Sequence, residues 1–433
     1  MALSSQTLTV TPENVANHLR DQFASDPEWL LARRREAMAA YFALPVPTRE
    51  RTAFNADRSG AITGFESAPV PADLPLPVPE TRGGVLSMAH DRVLVTRQPA
   101  ALAREGVILT DLRSACRMQP ELVAPHLGSV IDAAHDKSQA LNAGWWHNGG
   151  FLYVPAGVRV ADPVIWLHYH LPDQPGFFPR SLIVLEEDSE VVLIDYYSEG
   201  ENGSAPVSRT LAAMTVEVKL GSGARLHYGS IEQLSETTDA FVHRSALAGA
   251  HSAIFWNVGV FGAGVEISRQ STRLVEPGAE NHSVSVFFGS GRQHHDIDVV
   301  SIHDAPHTVS TMVGKGVMKG RAQSVFTGIT EIRRGARGSN ARQREQTLML
   351  SDDARADAIP SLLIDENDVF AAHSASAGPI DQAALFYLMA RGLSEEAAVR
   401  MIVQGFLAPV IDNISIDDLR QQVWVAVERK VSE

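Results

Sequence analysis

Between Phe151 and Val369 the chain is an almost unbroken run of short, strand-like segments. LYVPAGVRV, PVIWLHYHL, RSLIVLEE, EVVLIDYY, TVEVKL, SAIFWNVGVF, HSVSVFF, DIDVVSIH and QSVFTGITEI alternate in polarity or are β-branched. Gly, Pro, Asn or Asp separate them, which is the pattern of strands joined by turns. A stretch of over 200 residues with almost no helical period restricts the middle of the chain to a sandwich, a large barrel or a β-solenoid. A Gly-Ala turn recurs at Gly223-Ala224, Gly249-Ala250 and Gly278-Ala279, 26 and 29 residues apart, with looser echoes at Gly320 and Gly335. Repeats of about 20–30 residues suit one coil of a parallel β-helix. Spacing alone leaves the sandwich open.

Both ends read as helical. Thr11-Pro12 and Asp26-Pro27-Glu28 are helix-start signals. Trp29, Leu30, Ala37, Met38 and Tyr41 then form a packing stripe, and Leu44-Pro45-Val46-Pro47 stops the helix. Five prolines between Ala68 and Pro79 predict an extended linker or strap. A second helical patch is expected over Pro120–Trp146, ended by Gly149-Gly150. After Val369, Asp381 caps QAALFYLMAR, Gly392 sits at a C-cap, and Ser394-Glu395-Glu396 opens a helix that Pro409 closes. Asp417-Asp418 begins the last helix. The expected units are a helical region with a Pro-rich linker at 1–150, a β core at 151–369 and a helical domain at 370–433.

Charge and motifs exclude several function classes. The net charge is −14, and no basic run exceeds Arg33-Arg34-Arg35, so nucleic acid is not the expected partner. No apolar run is long enough for a membrane span. The first residues, with Glu13 and Asp21, resemble neither a signal nor a transit peptide, so the expected location is the cytoplasm. Cys116 is the single cysteine, which rules out an intrachain disulfide and a four-cysteine cluster site in this chain alone. Gly314-Lys315-Gly316 lacks P-loop spacing, so no direct ATP binding is expected.

Two places carry candidate chemistry. The first is the run with His294, His295, Asp296, Asp298, His303, Asp304 and His307. On a strand, His294 and His295 point to opposite faces, while His295 and His303 lie roughly 26 Å apart at about 3.3 Å per residue. A shared ion within one strand is therefore disfavoured. A β-helix enzyme acting on a polysaccharide or small metabolite through His294–His307 is kept as the alternative function. The second place is His373 in VFAAHSASAGPID, set among small residues that admit a cofactor or another backbone.

Four segments carry a family resemblance: DKSQALNAGWWHNGGFLYVPAGVRV from Asp136, APHTVSTMVGKGVMKGRAQSVFTGI from Ala305, ARQREQTLMLSDDARADAIPSLLIDENDV from Ala341 and DQAALFYLMARGLSEEAAVRMIVQGFL from Asp381. Together they resemble the SufB/SufD family of iron–sulfur cluster assembly scaffolds. The scarcity of cysteine resembles its SufD branch. The resemblance implies a mainly β fold with α-helical ends, a right-handed parallel β-helix core flanked by helical domains. It implies a non-catalytic scaffold that pairs with a SufB-like subunit and docks a SufC-like ABC ATPase. ATP would then be used only through SufC. Met401, Ile402 and Phe406 would serve that docking, and His373 would touch a transient iron–sulfur cluster at the subunit interface. This chain alone would hold no cofactor stably. Where the family usually has a cysteine two residues before the histidine, this chain has Ala371. For the isolated chain, monomer and homodimer are both open.

Overall fold

A computed structural model describes residues 11–46, 49, 51–52, 81–171, 174, 176–200 and 210–433. The strand-like run forms two sheets that take successive strands in turn. One sheet contains Arg159–His170, Glu190–Glu199, Arg225–Gln233, Ala253–Val260, Glu280–Gly289, Val309–Met318, Asn340–Met349 and Phe370–Pro379. The facing sheet contains Gly150–Val154, Arg180–Leu185, Thr210–Leu220, Thr238–Ala248, Val265–Leu274, His294–His303, Gln323–Ile332 and Arg355–Ile364. Each of these strands pairs in parallel with the strand one coil away. The result is a parallel β-solenoid. Identical residue faces therefore stack along its length, and every second residue of a strand enters the interior.

One corner of the coil explains both the repeat and its imperfection. Asp188, Gly223, His251, Gly278, His307 and Gly338 all have positive φ, between 54° and 72°. Each N–H donates to the carbonyl just before the next corner. His251 donates to Pro277 at 3.0 Å, for example, and His307 to Arg337 at 2.9 Å. Gly278 and Gly338 are required twice over, because a Cβ there would sit 2.4 Å from the His251 and His307 rings respectively. Gly249-Ala250 precedes the true corner at His251, so the spacing read from that dipeptide is displaced by two residues.

Strands extend past both expected limits of the core. Val85–Ala89, Arg92–Arg97 and Ile108–Asp111 lie in the region read as helical. Val85–Ala89 pairs with Arg159–His170, and its antiparallel partner Arg92–Arg97 closes that end of the sheet. At the other end, Phe370–Pro379 is a full strand rather than the start of a helical domain. The expected helical patch splits into Leu112–Met118, Pro120–Val123 and Lys137–Trp145. The first helix starts at Val15, with Thr11 outside it. Pro409 lies inside the last turn of Glu395–Ile411 rather than ending it. The Pro-rich stretch from Ala68 to Pro79 lies outside the described residues.

Helices pack on the solenoid at both ends of the chain. Glu28–Ala43 lies against Lys137–Trp145. Between them Arg34 is fully buried, stacked on the rings of Phe23 and Trp146 and paired with Asp26 at 2.9 Å. Glu395–Ile411 and Asp417–Ser432 cover the outer face of the first sheet. There Val403, Leu407, Leu419, Val423 and Val427 meet Ile194, Ile231, Val286, Phe288 and Val317. No helix among the described residues is long and apolar enough to cross a membrane.

Candidate functional site

The site follows from the last coil. Phe370–Pro379 pairs in register with Asn340–Met349, placing His373 beside Gln343 and Ala375 beside Glu345. On the inner strand Ala341, Gln343, Glu345 and Thr347 are buried, while Arg342 and Arg344 are exposed. Parallel stacking therefore turns Ala371, His373, Ala375 and Ala377 toward the interior. Ala371 packs on Ile332, Ala336 and Ala341, as that orientation requires. His373 is exposed only because no further coil covers it among the described residues.

Both terminal strands have a free edge, but the two edges differ. Phe370 N–H donates to Ser339 at 3.0 Å and Ile380 N–H to Met349 at 3.0 Å, so the even-numbered residues of that strand bond inward. The N–H and C=O groups of Ala371, His373, Ala375 and Ala377 then face outward, unpaired. On Arg355–Ile364, Arg355 and Asp365 bond inward, so Pro360 falls on the free side and has no N–H to offer. One edge is blunted by proline and the other is left open. An apolar rim of Leu363, Ile364 and Phe370 flanks this end, each at least 40% exposed.

Inside the open coil lies a carboxyl that the sequence did not single out. Glu345 is 6% exposed, and its Oε1 accepts from the Thr347 hydroxyl at 2.6 Å. Its Oε2 is buried and has no partner. Burial pushes its pKa up to about 7. A pocket of about 10 Å³ next to it is lined by Gln343, Pro360, Ser374 and Ala375.

The other candidates disperse. His294 faces outward to the Thr52 hydroxyl at 2.9 Å, beside Arg49, which bridges Asp296 and Asp298. His295 faces inward to the Gly262 carbonyl at 3.0 Å. His303 lies inside between the hydroxyls of Thr308 and Ser310, at 2.7 and 2.8 Å. His307 is a corner residue. No group of three or more His, Cys, Asp or Glu among the described residues is placed to hold a metal ion. The alternative enzyme reading thus lacks a convergent set in His294–His307. Cys116 is buried, and burial pushes its thiol up to about 12, the state of an inert thiol.

The interior histidines carry a pH prediction. Burial lowers His295 and His303 to about 4 each. Both are neutral in the folded chain at pH 7, whereas the unfolded chain protonates them near 6.5. Above 6.5 they impose no cost on folding. Below it the unfolded state binds more protons, and stability falls until the folded groups titrate near 4, by on the order of 3 kcal/mol each. Denaturant midpoints measured from about pH 7 to pH 4.5 should fall, and His303→Gln should flatten the slope. An unchanged slope in that variant would contradict the assignment.

The expected docking stripe divides. Met401 is 49% exposed, Ile402 is half-buried, and Phe406 packs on the solenoid with Lys315 Nζ 3.9 Å from its ring centre. The larger exposed apolar surface is Phe386, Tyr387 and Met389 on the helix Gln382–Ala390, continuing to Met401. The sequence signal was available: ALFYLMA is apolar all round, which a surface helix needs only when something else covers it.

Among the described residues, the chain is a parallel β-solenoid with helical units at both ends and an end coil whose outer edge is unpaired. Residues 169–406 match the family model described as SUF system FeS cluster assembly, SufBD core domain, and residues 77–165 match SufBD protein N-terminal region. The chain belongs to the SufBD family of iron–sulfur cluster assembly proteins. It is 33% identical to the iron–sulfur cluster assembly protein SufD of Bacillus subtilis, over 94% of this chain and 95% of that protein. It is 27% identical to an iron–sulfur cluster assembly SufBD family protein of Staphylococcus haemolyticus, over 94% of this chain and 90% of that one.

Proposed function

We propose that the chain is a SufD-like, non-catalytic subunit whose open coil receives a SufB-like partner. Its exposed surface at Phe386, Tyr387, Met389 and Met401 docks a SufC-like ATPase, and His373 contributes an imidazole to the cluster while it is assembled. The carrying observation is the open edge at Ala371–Ala377, with His373 turned inward beside it. A strand edge of this length is a template for strand addition. A neutral imidazole can ligate cluster iron. Ala371 supplies no thiolate next to it, so cysteine ligands must come from the partner. The same edge would pair two copies of this chain when the partner is missing, which sizing of the isolated protein reads directly.

The test is His373→Ala in the complex reconstituted with its partners. The complex should still form, because the edge bonds are backbone bonds. Bound iron and sulfide per complex should fall at least tenfold. Full cluster content in the variant would remove His373 from the mechanism.

A further inference from the structure

We propose that Arg342, Arg344 and Lys315 form a cationic surface beside the open edge that selects a partner strand carrying carboxylates on its outer face, and selects against a second copy of this chain. This rests on the strand-addition reading given above and names the chemistry of the strand that adds. Arg342 and Arg344 are exposed on the outer face of Asn340–Met349, and Lys315 lies on the same face one coil earlier, level with Gln346. None of the three has an ion pair among the described residues. Arg342 lies over the Phe370 ring instead, 5.1 Å from its centre, and Lys315 lies 3.9 Å from the ring centre of Phe406. Burial first and the Arg344 charge second lower the Lys315 pKa, and no carboxylate offsets them. In a chain of net charge −14, three uncompensated cations on one face run against the average.

The last strand leaves this surface open. On its outer face it carries Ala372, Ser374 and Ser376, level with Arg342, Arg344 and Gln346. An incoming strand would lie two strand spacings, about 10 Å, from the strand that carries the arginines. An arginine and a glutamate cover that span together, and only small side chains stand between them. Phe370 belongs to the last strand, so the Arg342 guanidinium already leans over it. The blunted edge offers no such surface: there Arg355 and Arg51 both pair with Asp357, at 2.9 and 3.3 Å. A second copy added at the open edge would bring an identical set of cations toward this one, whereas an acidic strand would neutralise it.

The test compares the full-length wild type with Arg342→Gln/Arg344→Gln, once matching melting curves confirm the fold. Binding to the SufB-like partner and self-association of the chain alone are both measured. At about 0.05 M salt the neutral variant should bind the partner roughly tenfold more weakly, and the gap should close near about 0.5 M. Its self-association should tighten roughly threefold, the opposite direction. Arg342→Lys/Arg344→Lys keeps the charges and should stay within about threefold of wild type in both. Weakening of both kinds of pairing alike would make the arginines structural and overturn the selection. Partner binding by the neutral variant equal to wild type at low salt, while Ala375→Pro abolishes it, overturns the cationic surface and leaves strand addition standing. Normal partner binding by Ala375→Pro overturns both.

Discussion

Ala375→Pro leaves the chain folded and abolishes pairing of its last coil. The N–H of Ala375 points to the free edge, so proline removes no hydrogen bond within the chain. It does remove a donor from the middle of the edge and puts a ring where an incoming strand would lie. An incoming carbonyl left unpaired costs about 1–3 kcal/mol, or roughly 10–100-fold in affinity. The ring's clash adds to that. Ser376→Pro is the control that separates edge from fold. Ser376 N–H faces the inner strand, so that variant should lose stability as well as pairing. Both are read by co-purification with the partner and by thermal melting. If Ala375→Pro pairs as well as wild type, the partner does not add a strand here.

Pro360 gives this prediction its direction. Two terminal strands end the solenoid, and a partner could in principle extend either sheet. Proline on the free side of Arg355–Ile364 interrupts that edge at its centre. The open run from Ala371 to Ala377 has no such interruption. Docking is therefore expected to begin on the strand that carries His373, which brings the partner's backbone next to the imidazole and the Glu345 pocket.

How much of this was legible in the sequence depended on what each signal encodes. Alternation reported the strands from Phe151 onward because one face of each is buried and the other is solvated or covered. The coil repeat was only half visible. Its corner needs positive φ, which Gly223, Gly278 and Gly338 announce, while Asp188, His251 and His307 adopt the same conformation without announcing it. FAAHSASAGP carries no strand signature of its own, since Ala, Ser and Gly are poor strand formers. It is a strand because Asn340–Met349 offers it a complete ladder. His373 could be picked out by its setting and by the family resemblance. Glu345 could not, because in RQREQT it looks like one more solvated charge. Only the register shows that it points inward while Arg342 and Arg344 point out.

Removing Arg244 should destabilise the fold more than any other change considered so far. Arg244 reaches from one sheet across the interior to Glu232 on the other and also donates to Ser230 at 3.2 Å. Arg244, Glu232 and Glu266 are each about 1% exposed. Burial, together with the charge of Glu232 and a hydrogen bond to it, raises Glu266 well above its ordinary 4.5. Burial and the neighbouring Glu232 thus favour the protonated form of Glu266, and Glu232 is the carboxylate that Arg244 pairs with. Arg244→Met leaves Glu232 charged with no counter-ion, which costs about 3–5 kcal/mol. Glu266→Gln should do the opposite. The unfolded chain releases that proton above 4.5, so at neutral pH the folded state carries a cost that an amide removes, and the amide N–H can still donate to Glu232. The expected result is no loss, or a gain, in the denaturant midpoint at pH 7. A loss as large as that of Arg244→Met would mean that Glu266 is ionised in the fold and that Arg244 neutralises two carboxylates rather than one.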